Sequence, residues 1–197
     1  MITTLPPPSP ETSKLAARWT RADCKTMEEL GFLDYRYELM EGMIIPKMGQ
    51  YLPHALTLGR AEDWLKGAFG NTNVVTQASI TVAPDETVIV RLEPDVTLLN
   101  KPGTQITTKE PSPEDILLLV EVSDTTLDYD LTTKAGVYSR AGIEQYLVLD
   151  INARVVYDHR LTDAGTYHRE TRRPGDAIVR AASPGLPLSV DDLFLPL

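Results

Sequence analysis

The chain has 197 residues, of which 42% are hydrophobic and 24% charged, and it carries a net charge of −9. This composition is that of an ordinary globular protein, and the length suits one domain with a real core rather than two of typical size. Because affinity for the phosphate backbone comes largely from Lys and Arg, the charge excludes a broad electrostatic footprint on nucleic acid. It does not exclude a local cleft, since bound metal can neutralise grouped acids and net charge describes the whole surface.

Two further features of the sequence concern cysteine chemistry and the cellular location of the protein. Cys24 is the only cysteine, so the chain forms no intrachain disulfide and no thiolate metal site. No apolar run approaches the roughly 20 residues needed to cross a bilayer, and the N-terminus lacks the basic and apolar regions of a signal peptide. We therefore expect a cytoplasmic protein without membrane contact.

The N-terminal half is predicted to contain an arm, two helices and two hairpins. Residues 1–18 begin with a stretch rich in Pro, Ser and Thr, which favours a flexible arm, and residues 19–197 are expected to form a single domain. The helices are predicted from large apolar residues at helical spacing, and the hairpins from Gly42 and the turn residues 84–86. In chain order, these are a helix at 20–30, a hairpin at 35–45, a long helix at 53–69 and a second hairpin with strands at 74–82 and 87–92.

The C-terminal half is predicted to hold the centre of the sheet. Residues 116–122 are the most apolar segment, which is typical of a strand buried on both faces. The other expected elements are a polar loop at 101–115, a helix capped by Asp124 or Thr125 and stopped by Gly142, strands at 144–150, 154–157 and 166–171, and a short closing element at 190–194. This order predicts an α/β fold with a mixed central β-sheet flanked by helices and extended by extra β-hairpins.

Glu121 interrupts the most apolar strand with a carboxylate. Burying an unpaired carboxylate costs several kcal/mol, so this residue requires a cation or a strong partner. Asp95 follows Pro94 beside another apolar segment, 96–99, and strands at these positions can lie side by side. Phosphodiester hydrolysis needs an activated water and charge stabilisation, and Mg²⁺ held by carboxylates provides both. We expect Asp95 and Glu121 to converge on one metal.

A lysine completes this set from another element. Because side chains alternate along a strand, Ser123 points to the same face as Glu121 and stands where an E-x-K arrangement would have its lysine. Lys134 lies on the following predicted helix, and a helical residue that faces the sheet can bring its ammonium to the same place. Tyr138, four residues later, shares that helix face.

The order and spacing of these motifs resemble those of one known family. The matching segments are Tyr37-Glu38-Leu39-Met40-Glu41-Gly42, His54 at a helix start, Pro94-Asp95, Leu119-Val120-Glu121-Val122-Ser123, Lys134 with Tyr138, and Gly142-Ile143-Glu144-Gln145-Tyr146 with Asp150. Together they resemble the Uma-type restriction endonuclease family of the PD-(D/E)XK nuclease superfamily, over roughly residues 20 to 170.

The resemblance implies a restriction-endonuclease-like core and an endonuclease that hydrolyses DNA with Mg²⁺, for which Mn²⁺ would substitute. It makes Asp95 and Glu121 the main metal ligands and Glu38 a further ligand, directly or through water. Lys134 becomes the displaced superfamily lysine, which orients the attacking water or stabilises the transition-state charge. Because nucleases of this superfamily often cut two strands with two active sites, a homodimer is also suggested.

A second hypothesis stays open beside the nuclease. Many relatives follow the Val-Ser segment with a proline and a basic stretch, whereas residues 124–130 of this chain carry three acids. The sequence also shows no separate DNA-reading domain. The alternative is a catalytically silent interaction or regulatory module that keeps the nuclease fold.

The remaining polar candidates have weaker roles. His54 is expected near the site, and Glu41 is expected to be a turn acid. His159 and His168 lie on peripheral strands and have no partner at ligand spacing. Ser123 has no His/Asp partner, which disfavours a serine hydrolase.

Overall fold

The computed structural model describes residues 17–47, 49–82, 88–108, 110–180 and 183–194. Most of the predicted arm, residues 1–16, lies outside the described residues, and so does the predicted turn at 84–86. Within the described part of the chain, no helix has the length and apolarity needed to cross a membrane.

A six-stranded mixed sheet forms the centre of the fold. Its strands are β3 (Val74–Thr76), β4 (Val96–Leu99), β5 (Ile116–Ser123), β6 (Gln145–Asp150), β7 (Val155–Leu161) and β8 (Tyr167–Arg172). They lie side by side in chain order; β5 and β6 run parallel, and the other neighbours run antiparallel. Every residue of β5 except Leu117 is buried, which confirms the prediction of a central strand.

Helices cover both faces of this sheet. The helices are α1 (Arg21–Glu29), α2 (Leu52–Phe69), α4 (Val190–Leu193) and α3, which joins the segments Leu127–Tyr129, Asp130–Lys134 and Ala135–Arg140. On one face, Leu58 and Leu65 of α2 pack with alternate strand residues such as Val120. On the other face, Val137 and Tyr138 of α3 form a second core with the sheet. The predicted mixed sheet between helical layers is confirmed.

Two hairpins extend the core. The first joins β1 (Tyr37–Met40) and β2 (Met43–Pro46), and the second joins β9 (Ala177–Arg180) and β10 (Ser183–Ser189). Glu41 and Gly42 both have positive φ, at 49° and 78°, which suits the tight turn of a hairpin. A Cβ on Gly42 would lie 2.4 Å from Cβ of Arg18, so this position requires glycine for space as well as for conformation.

Two local predictions were wrong, and one hairpin was not predicted. Strand β3 ends at Thr76, because Gln77 has a φ of 52°. It pairs with β4 and not with the predicted partner strand at 87–92. The described pairing between the two predicted hairpin strands is an isolated bridge between Ile80 and Leu92. Helix α3 is preceded by Thr126 rather than capped by Asp124 or Thr125. The hairpin of β9 and β10 was not predicted, because prolines and glycines in this segment indicate a loop.

Candidate active site

Asp95 and Glu121 meet because strands β4 and β5 are antiparallel neighbours. Val96 at the start of β4 pairs with Val120 near the end of β5, so the residues on either side of this pair share one end of the sheet. The backbone amide of Val122 donates a hydrogen bond of 2.9 Å to Oδ2 of Asp95. The predicted adjacency of the two strands is therefore confirmed.

Lys134 reaches Glu121 from α3, as its position on the helix predicted. Its Nζ lies 2.9 Å from Oε1 of Glu121, and the hydroxyl of Tyr138 donates a hydrogen bond of 3.1 Å to the same oxygen. Glu121 is 3% exposed and Lys134 is 4% exposed. The costly carboxylate in the central strand has an ammonium as its partner.

Two more carboxylates surround this ammonium. Oε2 of Glu38, on β1, lies 3.1 Å from Nζ of Lys134, and Oδ1 of Asp130 lies 3.5 Å from it. Glu38 also accepts a hydrogen bond of 3.2 Å from the backbone amide of Glu93 and lies 3.6 Å from Nζ of Lys47. The predicted residues Glu38 and Glu121 thus both contact Lys134, and both oxygens of Glu38 face a lysine.

The charges in this group are unevenly compensated. Burial raises the pKa of Glu121 to about 8. The positive charge of Lys134 acts to lower this pKa, whereas the negative charges of Asp95, Glu38 and Asp130 act to raise it. Burial also disfavours the charged form of Lys134, but Glu121, Glu38 and Asp130 hold its pKa well above the usual value. The pKa of the ammonium therefore stays high, and burial holds the pKa of Glu121 above its ordinary value.

Asp95 behaves differently from Glu121. Burial acts to raise its pKa, but the contact with His54 and the hydrogen bond from Val122 outweigh burial and lower the pKa below the ordinary value. Nε2 of His54, at the start of α2, lies 3.5 Å from Oδ2 of Asp95. Nδ1 of His54 is buried and has no hydrogen-bond partner among the described residues. His54 is therefore next to the site, as expected.

These groups line a cleft of about 520 Å³. Its charged walls are formed by Glu38, Lys47, Asp95, Glu121, Asp124, Asp130 and Lys134. The mouth carries Tyr51, whose residue surface is 75% exposed. Arg169 and Arg172 lie on β8 and Arg173 directly follows it, and none of these arginines lines the cleft. Acids outnumber cations here, so the cleft attracts positive charge.

The fit of a metal ion can be judged from the free oxygens. The hydrogen bonds to Glu121 end on Oε1 and those to Asp95 on Oδ2, so Oε2 and Oδ1 accept none from the described residues. Within the described part of the chain, no group of three or more His, Cys, Asp or Glu residues is arranged to hold a metal ion. Mg²⁺ commonly binds through one or two carboxylates and keeps several waters. Asp95 and Glu121 fit this mode of binding.

The residues outside the cleft also have clear positions. Glu41 lies in the hairpin turn, 3.8 Å from Arg140, as expected for a turn acid. His159 is buried on β7, where its ring stacks on Tyr146 at 5.2 Å between centroids, and His168 is exposed on β8. Neither histidine lines the cleft.

Lys47 was missed by the sequence analysis. It directly follows β2, lines the cleft, and donates a hydrogen bond of 2.8 Å to the carbonyl of Glu93. Its one signal in the sequence is its place after the strand that pairs with Glu38. A single lysine after a strand is usually a solvated residue, so that signal is weak.

A solved structure shares this architecture. It is described as a putative nuclease belonging to DUF820 from Anabaena variabilis, and it superposes with a TM-score of 0.63 at 17% identity, covering 85% of this chain and 96% of that chain. This similarity shows a shared fold, which in this chain is a mixed central sheet flanked by helices with an acidic cleft at the ends of β4 and β5.

The family follows from the sequence match. The model of Uma2, described as "Putative restriction endonuclease", matches residues 25–191, and the chain belongs to this family. Membership supports a nuclease that acts on nucleic acid. No curated protein matches the chain significantly.

Proposed function

We propose that the protein is a Mg²⁺-dependent endonuclease that hydrolyses phosphodiester bonds of DNA. The observation that carries this proposal is the convergence of Asp95, Glu121 and Lys134 in one cleft, with Nζ of Lys134 2.9 Å from Glu121. Two carboxylates with one unused oxygen each and a neighbouring ammonium are the groups that metal-assisted phosphodiester hydrolysis requires.

The carboxylates have distinct tasks in this proposal. Asp95 and Glu121 would hold the metal, since one oxygen of each carboxylate accepts no hydrogen bond from described residues. Glu38 contributes through water or by direct ligation, and the second mode requires Lys134 to release one of its contacts. Mg²⁺, or Mn²⁺ in its place, would neutralise phosphate charge and make a coordinated water more acidic.

Lys134 acts on the reacting groups. Its ammonium has three N–H donors, and hydrogen bonds to Glu121 and Glu38 use two of them. The third donor is left for the attacking water or a phosphate oxygen. In the reaction, a bond forms between the water oxygen and phosphorus while one ester P–O bond breaks, and Lys134 stabilises the charge that develops on the phosphate.

A plasmid assay tests the proposal. Supercoiled DNA is incubated with the wild-type protein in Mg²⁺, in Mn²⁺ and in EDTA, in parallel with Glu121→Gln and with Asp128→Asn. Asp128 is exposed on α3 and does not line the cleft, so its variant is a matched control. We expect metal-dependent nicking by the wild type and the control, and none by Glu121→Gln.

The outcomes separate the two hypotheses. Equal nicking by Glu121→Gln and the wild type would exclude this site as the catalytic one. If the wild type neither nicks DNA nor binds Mg²⁺ or Mn²⁺ in calorimetry, the silent module is the better account.

We also propose a homodimer for double-strand cleavage, because the described residues form one such acidic cleft per chain. Sedimentation of the protein with DNA tests this oligomeric state.

A further inference from the structure

Ser123 stands where an E-x-K arrangement would have its lysine, and the structure gives this serine a specific partner. It is the last residue of β5 and has 0% exposed surface. Its hydroxyl donates a hydrogen bond of 2.9 Å to Oδ2 of Asp130, and Thr126 donates one of 2.7 Å to the same oxygen. One oxygen of Asp130 is therefore fixed by two donors.

The other oxygen of Asp130 faces Lys134. The distance from Oδ1 to Nζ is 3.5 Å, which is too long for an ordinary hydrogen bond. In a buried group, an opposite charge at this distance still attracts strongly. Asp130 therefore draws the ammonium toward itself without using the N–H donor that the proposed reaction needs.

The backbone of α3 brings these two side chains together. The amide of Ala135 donates to the carbonyl of Asp130, five residues earlier, which makes Asp130–Lys134 a π-helical turn. The hydroxyl of Tyr146 donates a hydrogen bond of 3.2 Å to the same carbonyl. Such turns are rare and frequently lie at functional sites. Here the turn is fixed to the sheet at Asp130 and directs Lys134 toward Glu121.

We propose that Ser123 and Asp130 are positioning residues that hold the ammonium of Lys134 beside Glu121. Through Asp130, the serine at the end of β5 places a lysine that the chain supplies from α3 instead of from the strand. This inference rests on the proposed nuclease function for its catalytic consequence. The placement of Lys134 itself can be measured without any activity.

Single-turnover nicking at saturating Mg²⁺ and DNA tests the catalytic consequence. Asp130→Asn keeps the shape of the side chain and removes its charge, so we expect the rate to fall by about tenfold or more, since small misplacements of a catalytic group are costly. The half-saturating concentrations of Mg²⁺ and DNA should stay unchanged. Asp128→Asn is the matched control and should retain the wild-type rate.

A double-mutant cycle tests the part played by Ser123. If the serine acts through Asp130, then Ser123→Ala lowers the rate in the wild type and has no further effect in Asp130→Asn. Independent, multiplying effects would overturn that part of the inference. Melting temperatures of all variants identify any loss of folding.

A crystal structure of Asp130→Asn gives a readout that does not depend on activity. We expect Nζ of Lys134 to shift away from residue 130, because only Glu121 and Glu38 among its three carboxylate partners then keep their charge. An unmoved Nζ, or a wild-type rate in Asp130→Asn, overturns the inference and leaves the proposed function standing. If the wild type shows no nicking, the proposed function fails, and the position of Lys134 in the variant crystal decides the inference alone.

Discussion

The backbone amide of Val122 donates a hydrogen bond of 2.9 Å to the carboxylate of Asp95, a residue 27 positions earlier in the chain. This bond joins the end of β5 to the residue before β4 and orients Asp95 without any help from a ligand. Because Val122 directly follows Glu121, the same bond holds the carboxylate of Asp95 next to the backbone at Glu121. The site is therefore organised by the sheet itself.

Asp95→Asn should abolish metal-dependent nicking while preserving the fold. The amide oxygen can still accept the bond from Val122, but a neutral side chain binds Mg²⁺ poorly. We expect a rate loss of about two to three orders of magnitude, as for the loss of several kcal/mol of charge stabilisation. Asp163→Asn, in the exposed turn after β7, is the matched control. Comparable rates for the two variants would contradict the assigned role of Asp95.

The affinity for Mg²⁺ should rise with pH. Glu121 has a pKa raised to about 8 by burial, so below that pH the metal must displace its proton. The apparent affinity should therefore increase by up to about tenfold per pH unit below pH 8 and level off above it. Calorimetry in two buffers with different ionisation enthalpies would detect the released proton. An affinity that is constant between pH 6 and 8 would contradict a metal ligand whose pKa is raised to about 8.

Lys134→Met should destabilise the protein. The substitution leaves Glu38, Glu121 and Asp130 buried without their shared cation, and breaking a buried ion pair by removing one partner costs about 3 to 5 kcal/mol of unfolding free energy. The loss should be smaller at pH 5 than at pH 8, because protonated carboxyl groups need no counter-charge. Urea unfolding at both pH values measures it.

The control for that measurement is Lys25→Met. The side chain of Lys25 is 75% exposed and forms an i,i+4 pair with Glu29, so its loss should change the unfolding free energy by no more than about 0.5 kcal/mol. Equal urea midpoints for Lys25→Met and Lys134→Met would show that the buried ammonium contributes nothing to stability.

His54→Gln should weaken metal binding without abolishing it. The histidine contacts the same oxygen of Asp95 that Val122 contacts, and loss of a group that orients a metal ligand typically costs about 10- to 100-fold in affinity. His168→Gln, at an exposed position on β8, should bind Mg²⁺ like the wild type. Titration of the wild type and both variants with Mg²⁺ measures the three affinities. An unchanged affinity in His54→Gln would show that the histidine does not orient Asp95 for metal binding.

The sequence predicts much of this arrangement for a physical reason. The apolar runs around Glu121 and after Asp95 identify the central strands, because near-continuous apolar runs are typical of strands buried on both faces. A charge within such a run requires a partner. The helical spacing of Lys134 and Tyr138 places both on the face toward the sheet. These inferences depend on local patterns that the chain carries within a few residues.

Other contacts could not be predicted from such patterns. The hydrogen bond from Ser123 to Asp130 depends on a π-helical turn, and an extra residue within a helical turn leaves no periodic signal in a single sequence. Lys47 faces Glu38 because Ile45, two residues before it, pairs with Glu38 across the first hairpin, and the sequence pattern does not fix that register. The end of β3 depends on the positive φ of Gln77, a conformation that a glutamine in the sequence does not predict.

The π-helical turn makes this stretch sensitive to length. An α-helix rotates by about 100° per residue, so deletion of Thr132 or Thr133 could restore regular α-helical pairing yet turn Tyr129 and Asp130 away from Lys134. The side chain at Thr132 can change freely by comparison, since it is exposed, whereas Thr133 is half-buried. In an evolving lineage, insertions and deletions should therefore be purged between Asp130 and Lys134 more strictly than substitutions.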